Sequence, residues 1–324
     1  MSSIRAELRP RRRWGAYADL DNIKGDLILE RNGLRDVLQL ESLWGRPIES
    51  VMWYPKWRVG SPERAFPRAA ADLVRSYGAI PHLVWEACLP HEEPTASSIS
   101  LAAVARGEHD DFLRAFGAQA AEWGGVFFLR FFHEFNGGWY SWGAPRNGFD
   151  AALYIEAWIR VVSLLREAGA ANAQIVWSPN VVNGLPESDG RNAIERYWPG
   201  ENYVDWIGMD GYNFFPYFDG PQPLLSFEDI FRLTYERCVA LSGRTRLMVA
   251  EFGCGEYDAS GHRLPNKAAW IADMFETLER GYERIEWLFW FHVNKEREWR
   301  VDSSPAALAA FRRGLERRAL SATP

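Results

Sequence analysis

The chain has 324 residues, 47% apolar and 25% charged, a globular composition long enough for one large barrel or two small domains. A net charge of −6 and a pI near 5.7 exclude the basic stripe that polyanion binding needs. No apolar run reaches the length of a membrane span, and MSSIRAELRPRRRWG carries positive charge without the apolar centre of a signal peptide.

Residues 1–13 form a polar arm, with Arg9, Arg11, Arg12 and Arg13 expected in solvent. Short apolar runs then alternate with helical patterns. WGAYADL (14–20) and SVMWYPKW (50–57) are the first two strands, and Ser61-Pro62 is a start signal for a helix with Phe66, Ala70, Leu73 and Tyr77 on one face. IPHLVWEA (80–87) is the third strand, followed by a helix over about 108–123. VFFLRFF (126–132) is the fourth, and Asp150 caps the next helix. QIVWSPN (174–180) and VDWIGMDGYN (204–213) are the fifth and sixth, and Ser226-Phe227-Glu228-Asp229 resembles a capping box. RLMVAEFG (246–253) and IEWLFWFH (285–292) are the seventh and eighth, separated by a helix from about 266 to Gly281. Ser304-Pro305 opens a last helix with Leu308, Phe311 and Leu315 inward.

Apolar strands separated by amphipathic helices predict a parallel sheet covered on its faces. Eight such units favour a single (β/α)₈ TIM barrel over residues 14–317, with a tail at 318–324. The first turn has no G-x-G-x-x-G, which removes the usual dinucleotide signal. Three cysteines without zinc spacing predict neither a metal site nor a disulfide framework. Sixteen Trp exceed what a core needs, so some are expected to line a surface for flat, partly apolar ligands.

In such barrels the reacting groups stand at the C-terminal ends of strands. The carboxylates that close strands are Glu86, Glu134, Asp210 and Glu251. Glu134 and Glu251 follow the most apolar runs, where an isolated carboxylate is costly unless paired or functional. Their strands, the fourth and seventh, face each other across the mouth. Two convergent carboxylates suit glycoside hydrolysis; the alternative is simple pairing with Arg130 or another strand-end cation. Sugar rings present apolar faces that stack on indole, and Trp139, Tyr140 and Trp142 follow Glu134, while Trp85, Trp177, Tyr212 and Trp290 close other strands. His133 is expected to bond substrate or Glu134, or to be a satisfied core histidine. Metal hydrolase and serine hydrolase signatures are absent.

RFFHEFNGGWYSWG and VAEFG resemble the acid/base and nucleophile segments of glycoside hydrolase family 26, the β-mannanase family of retaining (β/α)₈ enzymes. VWSPN, WIGMDGYN and WRVDSSPAALAAFR extend the resemblance over about residues 14–313. It implies Glu134 as acid/base and Glu251 as nucleophile. Tyr212 would bond the nucleophile and Trp290 would lie under the sugar at the cleavage point. His133 would hold the substrate or the acid/base, and Arg130, Asn180, Trp85, Trp139, Trp142 and Trp177 are further candidates for substrate contact. Phe131, Phe135 and Tyr140-Ser141-Trp142-Gly143 depart from the family pattern in the loop that meets the sugar.

The expected function is therefore a retaining endo-β-glycanase, mannan or glucomannan being the family default. Mixed-linkage β-glucan, β-1,3-xylan and exopolysaccharide are alternative substrates within the family, and a non-catalytic glycan-binding barrel is the alternative of another class. The expectation includes a monomer with a polysaccharide or oligosaccharide partner, no nucleic-acid or membrane partner, and no cofactor.

Overall fold

The computed structural model describes residues 12–20, 28–57, 66–87, 99–182, 190–214, 225–256 and 267–320. Its parallel segments are β1 (Arg13–Asp19), β2 (Ser50–Trp53), β3 (Ile80–Trp85), β4 (Phe127–Phe131), β5 (Ala173–Trp177), β6 (Trp206–Ile207), β7 (Asp210–Asn213), β8 (Arg246–Cys254) and β9 (Ile285–Val293). They pair in sequence order, and β1 closes the ring on β9, Ala16 opposite Trp290. Both β6 and β7 pair with β8 and are two lengths of one strand interrupted at Gly208-Met209, so the barrel has eight positions. The sixth strand expected over 204–213 is thus broken.

Around the ring lie α1 (Ile28–Asn32), α2 (Arg35–Trp44), α3 (Arg68–Tyr77), α4 (Leu101–Ala105), α5 (Asp110–Trp123), α6 (Ala151–Glu167), α7 (Phe227–Leu241), α8 (Lys267–Gly281) and α9 (Pro305–Leu320). Three starts follow from caps legible in the sequence. Asp150 accepts from the Leu153 amide, Ser226 and Asp229 form a reciprocal capping box, and Ser304 accepts from the Ala307 amide. Ser61-Pro62 lies outside the described residues; α3 begins at Arg68, and Phe66 packs just before it.

Strand alternation makes two cores. Tyr17, Met52, Val84, Phe128, Val176, Trp206, Met248, Trp287 and Phe289 fill the barrel, and a larger set lies between strands and helices. The floor is aromatic, with Phe128 5.6 Å from Trp206 and 5.4 Å from Trp287. Arg246 covers Trp206 at 3.9 Å and Arg13 covers Trp287 at 4.3 Å, closing the end opposite the mouth. Gly15 is required by this packing: a Cβ there would stand 2.4 Å from the Phe289 ring and 2.8 Å from the Ser50 carbonyl oxygen.

Of the basic arm, Arg13 is exposed as expected and Arg12 is not. Arg9 and Arg11 lie outside the described residues, but Arg12 is buried and its guanidinium donates to the carbonyls of Tyr282 at 2.7 Å and Ile285 at 3.1 Å. Three carbonyls within and beyond the last turn of α8, that of Leu278 included, are what hold this charge. Among the described residues no helix is long and apolar enough to cross a membrane.

Candidate active site

β4 ends at Phe131, and the chain then takes two left-handed residues, Phe132 at φ 46° and Glu134 at φ 51°. Such a backbone is strained for any residue with a side chain and persists only where its surroundings enforce it. Here they do. The Glu134 amide donates to Ser178 O at the end of β5 at 2.7 Å, and the Ala144 amide returns to Phe135 O at 2.6 Å. The coil breaks simple alternation, so His133 and Glu134 both turn inward. Gly137 serves close approach, since a Cβ there would stand 2.3 Å from the Trp139 ring.

Glu134 is 9% exposed and accepts from Trp139 Nε1 at 2.6 Å on Oε2 and from Asn180 Nδ2 at 2.6 Å on Oε1. Burial first, and then the negative charge of Glu251, push its carboxyl up to about 7; the two hydrogen bonds pull the other way. Glu251 reaches the same mouth through an irregularity in β8, where the register with β9 slips between Val249 and Phe252. Ala250 and Glu251 consequently face inward together, while Val249 and Phe252 face the helices.

Every hydrogen bond to Glu251 among the described residues is donated to it. Tyr54 donates to Oε2 at 2.5 Å, Arg130 Nη2 donates to the same oxygen, and Tyr212 donates to Oε1. This is the bonding of an ionised carboxylate. Arg130 is fully buried and holds Asp210 Oδ1 at 2.5 Å with its other nitrogen; Ser178 Oγ adds a bond to that oxygen at 2.9 Å. The pairing of Glu251 with Arg130 is real, but Glu134 takes no part in it. Arg130 lies beneath the site and positions Glu251, with no surface left for a substrate.

His133 is buried and its Nε2 bonds the Tyr140 hydroxyl at 3.0 Å, so it holds neither Glu134 nor an open face. Burial and the charge of Arg130 keep its ring well below the usual histidine range, hence neutral. Tyr54 was not among the expected residues, although it follows β2 directly in WYPKW.

The expected indole platforms divide by strand parity. Trp139 remains half-buried beside Glu134. Trp142 stacks on Tyr140 at 4.2 Å and donates to His133 O at 2.6 Å, bracing the loop from within. Trp85 faces outward between Trp57 at 4.1 Å and Phe116 of α5 at 4.3 Å. Trp177 packs outward on Phe135 and Trp198, both at 5.1 Å. Trp290 alternates with the inward Phe289 and Phe291, so it points to the helices, 5.0 Å from Phe252 and 5.3 Å from Phe311. The excess of tryptophan is mainly core. The ring that does face the mouth from β9 is Phe291, stacked on Tyr17 at 5.1 Å and edge-on to Tyr212 at 5.7 Å. Trp290→Phe is therefore expected to lower Tm by several degrees through a cavity beside α9, as thermal melts would record.

Comparison with known proteins agrees with this architecture. A model of "Glycosyl hydrolase family 26" matches residues 119–238, which include the Glu134 segment. Endoglucanase H of Acetivibrio thermocellus is 30% identical over 281 residues, 86% of this chain and 29% of that protein. Mannan endo-1,4-beta-mannosidase A and B of Caldalkalibacillus mannanilyticus is 37% identical over 86 residues, 25% of this chain and 15% of that protein. The chain thus spans less than a third of either relative. A modular endo-beta-1,4-mannanase from Cellulomonas fimi superposes with a TM-score of 0.64 at 17% identity, covering 97% of this chain and 72% of that one. With its eight-position barrel, its matched Glu134 segment and these relatives, the chain belongs to glycosyl hydrolase family 26.

Proposed function

We propose that the chain is a retaining endo-β-glycanase acting on mannan or glucomannan, with Glu134 as acid/base and Glu251 as nucleophile. The observation that carries this reading is the contrast between two neighbouring carboxyls: Glu134 is raised to about 7, and Glu251 only accepts hydrogen bonds. A retaining glycosidase needs that division, a protonated donor for the leaving oxygen and an ionised nucleophile about 5 to 5.5 Å away. Glu251 attacks the anomeric carbon as Glu134 gives its proton to the departing oxygen. Glu134 then takes a proton from water, which releases the glycosyl group from Glu251 with the original anomeric configuration.

A second reading, mixed-linkage β-glucan as substrate, is favoured by the endoglucanase relative that aligns over 86% of the chain. Hydrolysis of mannan, glucomannan, lichenan and β-1,3-xylan, followed by NMR of the first-formed anomer, tests both. Mannan or glucomannan cleavage to the β-anomer is expected. Lichenan cleavage alone would transfer the substrate assignment, an inverted anomer would overturn the mechanism, and binding without turnover would make the chain a glycan-binding barrel.

The pH profile follows from the same carboxyl. Below about 7 Glu134 holds its proton and can act as acid, so kcat/KM is expected to fall as pH rises through about 7. Trp139 donates to the ionised form and so lowers this value. Trp139→Phe should move the alkaline limb to higher pH, and a limb that stays or moves down would separate Glu134 from the acid role.

A further inference from the structure

A third carboxyl at the mouth has no part in the mechanism above. Glu86 follows β3 with the parity of Val84, hence inward, and its backbone is clamped by bonds of 3.0 Å from its own amide to Pro55 O and 2.9 Å from the Trp57 amide to its carbonyl. It is 6% exposed. Among the described residues its one side-chain bond is a long one, 3.3 Å from the Tyr140 hydroxyl to Oε1, and it forms no ion pair with them. A buried carboxyl this poorly satisfied is costly unless a ligand completes its bonding.

The surroundings point to which ligand. Burial and the charge of Glu251 raise Glu86 to about 8, and Lys56 and Lys295 attract it from a distance. Near neutrality it therefore offers one donor and several acceptor positions, the complement of a vicinal diol. Its neighbours also fix the side. Asn180 and Trp139 flank Glu134 from the ends of β4 and β5, where the leaving oxygen must lie. Glu86, Lys56 after β2 and Lys295 after β9 lie on the other arc of the ring, with the ammonium of Lys295 6.0 Å above the Phe291 ring.

We propose that Glu86 is a substrate-binding residue of this site, hydrogen-bonding sugar hydroxyls on the glycone side of the cleavage point, an inference that rests on the hydrolase reading above. The test compares wild type with Glu86→Ala, Glu86→Gln, Tyr140→Phe and Glu86→Ala/Tyr140→Phe on mannan and mixed-linkage β-glucan oligosaccharides. Steady-state kinetics is paired with calorimetric binding. The isosteric Gln variant guards against loss of fold, checked by thermal melting. Glu86→Ala is expected to raise KM and weaken binding roughly tenfold with kcat within about threefold, Glu86→Gln less, and the double variant more than Tyr140→Phe. Unchanged affinity in Glu86→Ala would overturn the proposal. So would a fall in kcat that Tyr140→Phe reproduces and the double variant does not deepen, because Glu86 would then act only by holding Tyr140 and His133. If wild type binds oligosaccharide without cleaving it and Glu86→Ala binds about tenfold more weakly, the hydrolase reading falls and the role of Glu86 stands. If wild type binds no saccharide, both fall.

Discussion

Glu251→Ala is expected to lower kcat on polysaccharide by on the order of 10⁵-fold while leaving the fold intact, since in the proposed mechanism the variant loses the group that forms the covalent bond. Glu134→Ala should behave differently according to the leaving group. With a sugar leaving group the loss is large, on the order of 10³-fold, because the oxygen departs unprotonated. With an activated aryl leaving group, which needs no proton to depart, cleavage should survive and the second step, hydrolysis of the glycosyl-enzyme, should become slow. Rapid release of one equivalent of phenol per enzyme, followed by a slow phase, is the signature to seek by stopped flow. Equal losses on both substrates in both variants would contradict the assigned division. The physical basis of the asymmetry is on opposite sides of one mouth: two donors and a dry setting around Glu134, three donors around Glu251.

Much of this was legible in the sequence because barrel strands and helix caps are local signals. Asp150, Ser226 and Ser304 announce helices wherever the chain goes, and a run such as VFFLRFF must be buried on both faces. The carboxylates could be found at strand ends for the same reason. What failed was direction. Trp85, Trp177 and Trp290 also close strands, yet each sits one residue out of phase with an inward neighbour, Val84, Val176 and Phe289 respectively. Period-two alternation assigns all three to the helix layer. The rule fails in turn at Phe132, a left-handed residue that packs outward although it shares the parity of the inward Phe128, and at Glu251, which a register slip turns inward. Such irregularities arise from contacts distant in sequence, such as the Glu134 amide on Ser178 O, and leave no local mark.

Arg130→Met should cost about 3–5 kcal/mol, the usual penalty for removing one partner of a buried ion pair, and lower Tm by on the order of 10 °C. The side chain is about the right length to fill the space, so the loss is mainly electrostatic. Asp210, which is fully buried, and Glu251 would face each other without the guanidinium that now bonds both, leaving Ser178 and two tyrosines as the remaining donors. Two carboxylates in one dry site favour the uptake of a proton, so in the variant both are expected to bind protons more tightly when folded than when unfolded. By linkage a raised carboxyl destabilises the fold above its unfolded value and ceases to do so as pH falls, which makes the Arg130→Met penalty shrink on acidification. Arg130→Met/Asp210→Asn should recover part of the stability at pH 7, because it removes one of the two unpaired charges, but little of the activity, because Glu251 still lacks the bond that aims it. Melting curves of the three proteins from pH 5 to 8, read beside kcat, separate these contributions: a penalty independent of pH would mean that Arg130 acts by packing alone.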